Sequence, residues 1–202
     1  REALVRAYDT ALRRLEADTT LSRADRLGAL IGRVAVARLE VPKAEVHPKL
    51  DKALLEAVRE HAARQDREIT DGYERQAVVT EAAYLLGLAG LWADSDALLQ
   101  ANLARSHSPY YLMSQLGGNA RKLGRTDEAL RWYQQAFDKS EGPATRLQWG
   151  AGYVAALVEL APKDGARIEK AAGQLFKEAG QDQGAFYERS ARSLQRVGNK
   201  LA

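Results

Sequence analysis

The stretch Tyr111 to Ser140, YLMSQLGGNARKLGRTDEALRWYQQAFDKS, constrains the fold more than any other part of the chain. Its apolar residues recur at helical spacing on both sides of Gly124, so it reads as two helices joined by a tight turn. Gly124 ends the first helix, because glycine enters the left-handed region at no steric cost. Leu116-Gly117 supplies a small pair where two helices must approach closely. Thr126 is placed to cap the second helix, with Asp127 and Glu128 in its first turn, favourable for the helix dipole. Ala129 is the small residue expected at the helix crossing, and Tyr133, Ala136 and Phe137 form one apolar stripe.

Hairpins of this kind repeat at a period of about 34 residues. One period upstream of Gly124 lies Gly90, within EAAYLLGLAGLWADSDALLQANLARS, Glu81 to Ser106. There Trp92 takes the bulky place after the turn. Leu99 and Leu103 align with Tyr133 and Phe137, and Ser95 replaces the crossing alanine. The clear hairpin resembles the tetratricopeptide (TPR) repeat at its Leu-Gly pair, turn glycine, crossing alanine, aromatic and following alanine. It departs at Met113, at Ala120 and in a late proline, Pro143. The resemblance implies successive look-alike helical pairs that nest side by side.

The rest of the chain is also helical in pattern. Ser108-Pro109 opens the first helix of the clear hairpin. A helix spans Pro143 to Leu160, its partner begins near Asp164, and a last helix covers about Gly184 to Lys200. That last helix sets Tyr187, Ala191, Leu194, Val197 and Leu201 against a wet side of Glu188, Arg189, Arg192, Gln195 and Arg196, which suits a terminal cap. Upstream, Leu4, Tyr8, Leu12 and Leu15 stripe one helix. Ser22 to Asp25 resembles a capping box opening a helix through Leu39, with Leu27, Leu30, Ile31, Val34 and Ala35 on a wide apolar arc. Pro48 is expected to start a helix carrying Leu50, Leu54, Ala57 and Val58, and Thr70-Asp71-Gly72 marks the next turn. No run combines alternation with β-branched residues. The expected fold is all-α, a TPR-like helical-hairpin solenoid of about ten helices. Residues 1–72 form an N-terminal helical segment without clear repeat signature. Residues 73–202 hold the repeats and a C-terminal capping helix, in one continuous domain.

Several kinds of chemistry have no foothold. The chain has no cysteine, so thiolate nucleophiles, disulfides and cysteine zinc sites are excluded. His47, His61 and His107 are far apart in sequence without metal-ligand spacing, and His61 sits on the Leu50–Leu54–Val58 stripe as a packed histidine. Neither HExxH, GxSxG nor a glycine-rich phosphate loop is present, and Gly150-Ala-Gly152 reads as a close helix contact. The expectation is a non-enzymatic chain with no cofactor. The 30 basic residues are interleaved with 27 acidic ones for a net charge of +3. Arg121-Lys122 with Arg125 is too short a patch to track phosphates, so no nucleic acid is expected. No apolar stretch reaches the ~20 residues of a membrane span.

What remains is binding of a protein or peptide. The first helix of each hairpin lines the concave side of such a stack. The candidate groove residues are Tyr84 and Leu88 from the upstream repeat, and Tyr111, Ser114, Asn119, Arg121 and Lys122 from the clear one. Tyrosine and arginine are good interface anchors, although Tyr84 and Tyr111 can equally pack between neighbouring hairpins. The segment from Ser108 onward, above all EGPATRLQWG at Glu141 to Gly150, resembles the helical C-terminal region of proteobacterial secreted thioredoxin-fold proteins. That resemblance implies an accessory domain, periplasmic or secreted, that positions substrate or partner beside a covalently linked thioredoxin-fold domain. The chain begins at Arg1 with neither an initiator Met nor a signal-peptide pattern, and so reads as part of something longer. A cytoplasmic scaffold, or a structural and oligomerising domain with no groove ligand, are the alternatives.

Overall fold

The structure, a computed structural model, describes residues 2–202. Among these there are ten α-helices and no strand: α1 (Glu2–Ala17), α2 (Arg23–Ala37), α3 (Lys52–Glu68), α4 (Gly72–Leu88), α5 (Trp92–Asn102), α6 (Pro109–Lys122), α7 (Thr126–Lys139), α8 (Pro143–Leu160), α9 (Gly165–Ala179) and α10 (Glu188–Leu201). The chain is all-α and built of helical hairpins. It divides into two compact units, one ending at His107 and the other Ser108–Ala202. Residue 72, where the sequence pattern changes, opens α4 inside the first unit.

The two spaced glycines do the same job in the two units. Gly90 has φ 81° and Gly124 φ 71°. Behind the first, Gly90 N–H bonds Gly87 O at 2.9 Å and Leu91 N–H bonds Leu86 O at 2.8 Å. Behind the second, Gly124 N–H bonds Arg121 O at 3.1 Å and Arg125 N–H bonds Ala120 O at 2.8 Å. Both are the paired bonds of a Schellman ending, which satisfies carbonyls that the helix leaves open.

In the first unit α2, α3 and α4 enclose a core of Leu27, Leu30, Val34, Leu54, Val58, Val78, Leu85 and neighbours. Ser95 explains the missing crossing alanine: it is fully buried and its hydroxyl donates to Ala83 O at 2.8 Å. Arg75, also buried, ties the end of α3 to α5 by donating to Asp66 Oδ1 at 2.6 Å and Asn102 Oδ1 at 2.8 Å. Four expectations need correction here. Pro48 does not start a helix. It lies buried beneath Gly90, and α3 begins at Lys52 behind Asp51, whose carboxylate accepts the Leu54 N–H. The helix α2 stops at Ala37 with Ala35 exposed. Leu103 leaves α5 for a short 3-10 turn, Leu103–Arg105. The α1 stripe is mostly open, since Leu4, Tyr8 and Leu15 are exposed.

In the second unit α7 packs on α6 and α8, and α8 also packs on α9 and α10. Ala129 and Ala120 are completely buried where α6 and α7 cross. At Gly117 a Cβ would sit 2.9 Å from the Tyr133 ring, so only glycine lets that ring lie on α6. Gly150 does the same for α8, where a Cβ would meet Leu175 and Phe137 at 2.9 Å. Asp164 caps α9 by accepting the Arg167 N–H at 3.2 Å. Thr126, expected as a cap, is instead the first residue of α7. The last helix is shorter than its pattern: a 3-10 turn, Gln183–Phe186, precedes α10, and Glu188 at φ 45° marks the break.

Candidate functional site

Within the second unit, α6, α8 and α10 lie side by side and point the same way. Tyr111 of α6 meets Trp149 of α8 edge-on at 5.2 Å between ring centroids. Ten residues on, Arg121 pairs with Glu159. Both links join residues 38 apart, and a constant offset at two places is the mark of parallel helices. Between α8 and α10, Arg189 donates to Gln148 Oε1 at 3.2 Å and Lys200 pairs with Glu159, each across 41 residues. Three parallel helices in a row are what the first helices of stacked hairpins provide.

Glu159 sits at the centre of this row's C-terminal end. Its carboxylate is shared between Lys200 and Arg121, and the Lys200 hydrogen bond, followed by the Arg121 charge, holds its pKa below the usual glutamate value. Arg121 also contacts the Tyr133 hydroxyl, whose pKa is raised by burial and eased down by that guanidinium.

On α6 the positions Tyr111, Ser114, Gly118 and Arg121 follow helical spacing along one face. On α8 the same face carries Trp149, Gly152 and Glu159. Gly152 is exposed, and a Cβ added there would meet nothing within 4 Å. On α10 it carries Arg189, Arg192, Arg196 and Lys200. Among the described residues no carboxylate lies within ion-pair distance of Arg189, Arg192 or Arg196; Arg196 donates to Ser193 Oγ at 3.1 Å. The row therefore has aromatic rings at one end, a bare floor at Gly152, and a basic flank. The indole N–H of Trp149 is buried without a hydrogen-bond partner among the described residues.

The expected groove residues fall in both units. Tyr84 and Leu88 belong to the first, with Tyr84 51% exposed and Leu88 half-buried against that unit's core. In the second, Tyr111 packs on Tyr110 and Trp149 yet stays 44% exposed. Ser114 is half-buried on the same face, and Lys122 is exposed at the helix end. Asn119 is only 7% exposed, so it is part of the packing and not open to a ligand. Arg121 is exposed but committed to Glu159. Sequence reasoning missed Glu159 as the bridging carboxylate, and it read the α10 arginines only as a solvated face. The signal for the latter was present: basic residues at 189, 192, 196 and 200, with Glu188 the one acid on that helix.

The phrase Glu141 to Gly150 is spent largely on structure. Arg146 donates to both carboxylate oxygens of Glu178 at 2.7 and 2.8 Å and to the carbonyls of Phe137 and Ser140, with its guanidinium 4.8 Å from the Phe137 ring centre. Leu147 and Gly150 are buried, and Gln148 and Trp149 reach the row. No family model, no curated protein and no solved structure matches this chain.

Proposed function

We propose that this chain is a non-catalytic, TPR-like interaction module that docks an extended acidic segment of a partner protein along α6, α8 and α10. The observation that carries this reading is the combination of Gly152 and the α10 arginines. A glycine inside a helix is destabilising by about 0.5–1 kcal/mol relative to alanine. At Gly152, as at the helical glycines Gly28, Gly173 and Gly198, nothing fills the place of a Cβ; what sets Gly152 apart is its position between Trp149 and Glu159 on the row, where its bare surface leaves room for a ligand backbone. The arginines beside it lack carboxylate partners within the described residues, so carboxylates from elsewhere complement them. Tyr111 and Trp149 supply the apolar anchor at the other end.

The test is titration of the full chain with fluorescent Asp/Glu-rich peptides. Saturable, salt-sensitive binding is expected, lost in R192E/R196E and blocked by Gly152→Trp, with helicity unchanged in both. Equal binding by these variants would overturn the proposal.

The thioredoxin connection extends the same reading: the module holds a client or partner beside an oxidoreductase domain in the periplasm. Its support is the Glu141–Gly150 phrase alone. A segment with a CxxC pair encoded ahead of Arg1 is the expected finding, and a different kind of domain there would remove it. A second reading, self-association, is favoured by the exposed Phe186, Tyr187 and Leu201 around α10. Light scattering decides it, since a stable dimer dissociated by Tyr187→Glu would replace the monomeric module.

A further inference from the structure

The first unit contains a second basic feature, unrelated to the row. A cleft of ≈450 Å³ opens between α1, α2 and α3. That volume is in the range of small-molecule sites, about 300–1,000 Å³. Its walls carry Arg13 from α1, Arg26 and Arg33 from α2, and Arg64 from α3. Two carboxylates, Glu16 and Glu60, line it with them. Asp9 accepts from Arg13 at 2.7 Å and from Arg33 at 3.2 Å, Glu16 takes the other side of Arg33, and Glu60 pairs with Arg64 at 2.8 Å. Arg26 is left over. Its Nε donates to the main-chain oxygen of Glu16 at 3.0 Å, and among the described residues its terminal nitrogens have no partner. The backbone bond fixes the plane of a guanidinium fork whose outer edge is vacant, the geometry that matches an oxyanion.

One wall of the cleft is α3, which brings a buried histidine to it. His61 lines it and is 6% exposed. Its Nε2 lies 3.1 Å from the Gln65 amide nitrogen, and Gln65 Oε1 is buried without a partner among the described residues. Turning the amide over exchanges which end is unpaired without curing the deficit. Gln65 does not line the cleft, and its single unmet acceptor is a local packing cost that takes no part in gripping an anion.

We propose that the cleft between α1, α2 and α3 binds a small phosphoryl-bearing anion, gripped by the Arg26 guanidinium and flanked by Arg13 and Arg64. Asp9, Glu16 and Glu60 pair with Arg13, Arg33 and Arg64, and Asp18 and Asp51 act from farther off, so the preference for an anion rests on the open fork of Arg26 and not on a net charge. Phosphate, free or as part of a larger metabolite, offers the tetrahedral oxygens that several guanidiniums can share.

The experiment is calorimetric titration of the full chain with pyrophosphate, inorganic phosphate and succinate at fixed ionic strength. Saturable binding of pyrophosphate is expected, with succinate weaker by about tenfold or more. Arg26→Gln should weaken pyrophosphate by about tenfold while leaving helicity intact, because it orphans no carboxylate. Arg64→Gln serves as the second variant if the first is poorly folded. R192Q/R196Q, on the other unit's basic flank, should bind pyrophosphate like the parent chain. Absence of saturable binding at about millimolar ligand, equal affinity for succinate, or an equal loss in R192Q/R196Q would each overturn the proposal. The row's peptide binding, read separately with Arg26→Gln, should be unaffected.

Discussion

Gly150 and Gly152 lie two residues apart on α8, and the same substitution at each should change stability in opposite directions. In both, alanine removes the flexibility of glycine in a helix interior, worth about 0.5–1 kcal/mol in favour of the variant. At Gly152 nothing stands within 4 Å of the new methyl, so Gly152→Ala should be stabilising by that amount. At Gly150 the methyl lands 2.9 Å from Leu175 Cδ1 and from Phe137 Cε2 and Cζ. Both side chains are 1% exposed, so neither has room to retreat. Overpacking of this kind costs about 1–3 kcal/mol. Gly150→Ala should therefore be destabilised by up to about 2 kcal/mol, and the gap between the two variants is the packing cost alone, about 1–3 kcal/mol. Urea unfolding followed by helical circular dichroism measures it directly. In a thermal melt the gap corresponds to about 4–8 °C per kcal/mol if the second unit melts alone, and about 2–4 °C if the chain melts as one. A Gly150→Ala variant as stable as Gly152→Ala would refute the close α7–α8–α9 joint.

Other outcomes are fixed by equally local features. Gly124→Ala should cost about 1–2 kcal/mol for a left-handed non-glycine residue. Gly90→Ala should cost more in the same urea assay, because Pro48 Cδ stands 2.8 Å from its Cβ position. Glu159→Gln removes both bridges of the row and should cost about 1 kcal/mol or less, given their exposure. The Glu159 contribution is complete above the ordinary glutamate value of 4.5 and is lost as pH falls through the lowered folded-state value, so the variant should show a flatter acid limb. Burial depresses the His61 pKa below 6.5, opposed by Glu16 and Glu68 and helped by Arg64 and Arg26. Because the unfolded chain takes up that proton first, stability should fall as pH drops from about 6.5 toward the folded value, and His61→Gln should abolish that step in pH-dependent melts.

Much of the architecture was legible because its signals are local. A glycine that must take positive φ at a helix end can be read from its neighbours, as Gly90 and Gly124 were. Pro143, Leu160 and Asp164 bound their helices where the sequence places them. The start of α3 was not legible in the same way. Pro48 and Asp51 are both start signals, and what separates them is that Pro48 is taken up beneath Gly90, 42 residues away. The break before α10 has no local signal either, since Glu188 adopts positive φ without a glycine. The stripe on α1 is periodic, yet periodicity marks a face and not its partner, and Leu4 and Tyr8 are exposed.

The candidate sites were less legible for a single reason: what an arginine does depends on partners that are remote in sequence. Arg146 is a structural clamp because Glu178 lies 32 residues on, and Arg33 is one because Asp9 lies 24 residues back. Arg121 read as an open groove cation until Glu159, 38 residues away, took it up. Arg26, Arg192 and Arg196 are the same residue type on equally ordinary helices, but within the described residues no carboxylate comes to ion-pair distance of them. Interleaved charge in the sequence thus says nothing about interleaved charge in space. A net charge of +3 spread evenly would attract nothing in particular. Where pairing fails, at Arg26 and at Arg192 and Arg196, the guanidiniums are left open, and those are the two places proposed above for a small anion and for an acidic chain.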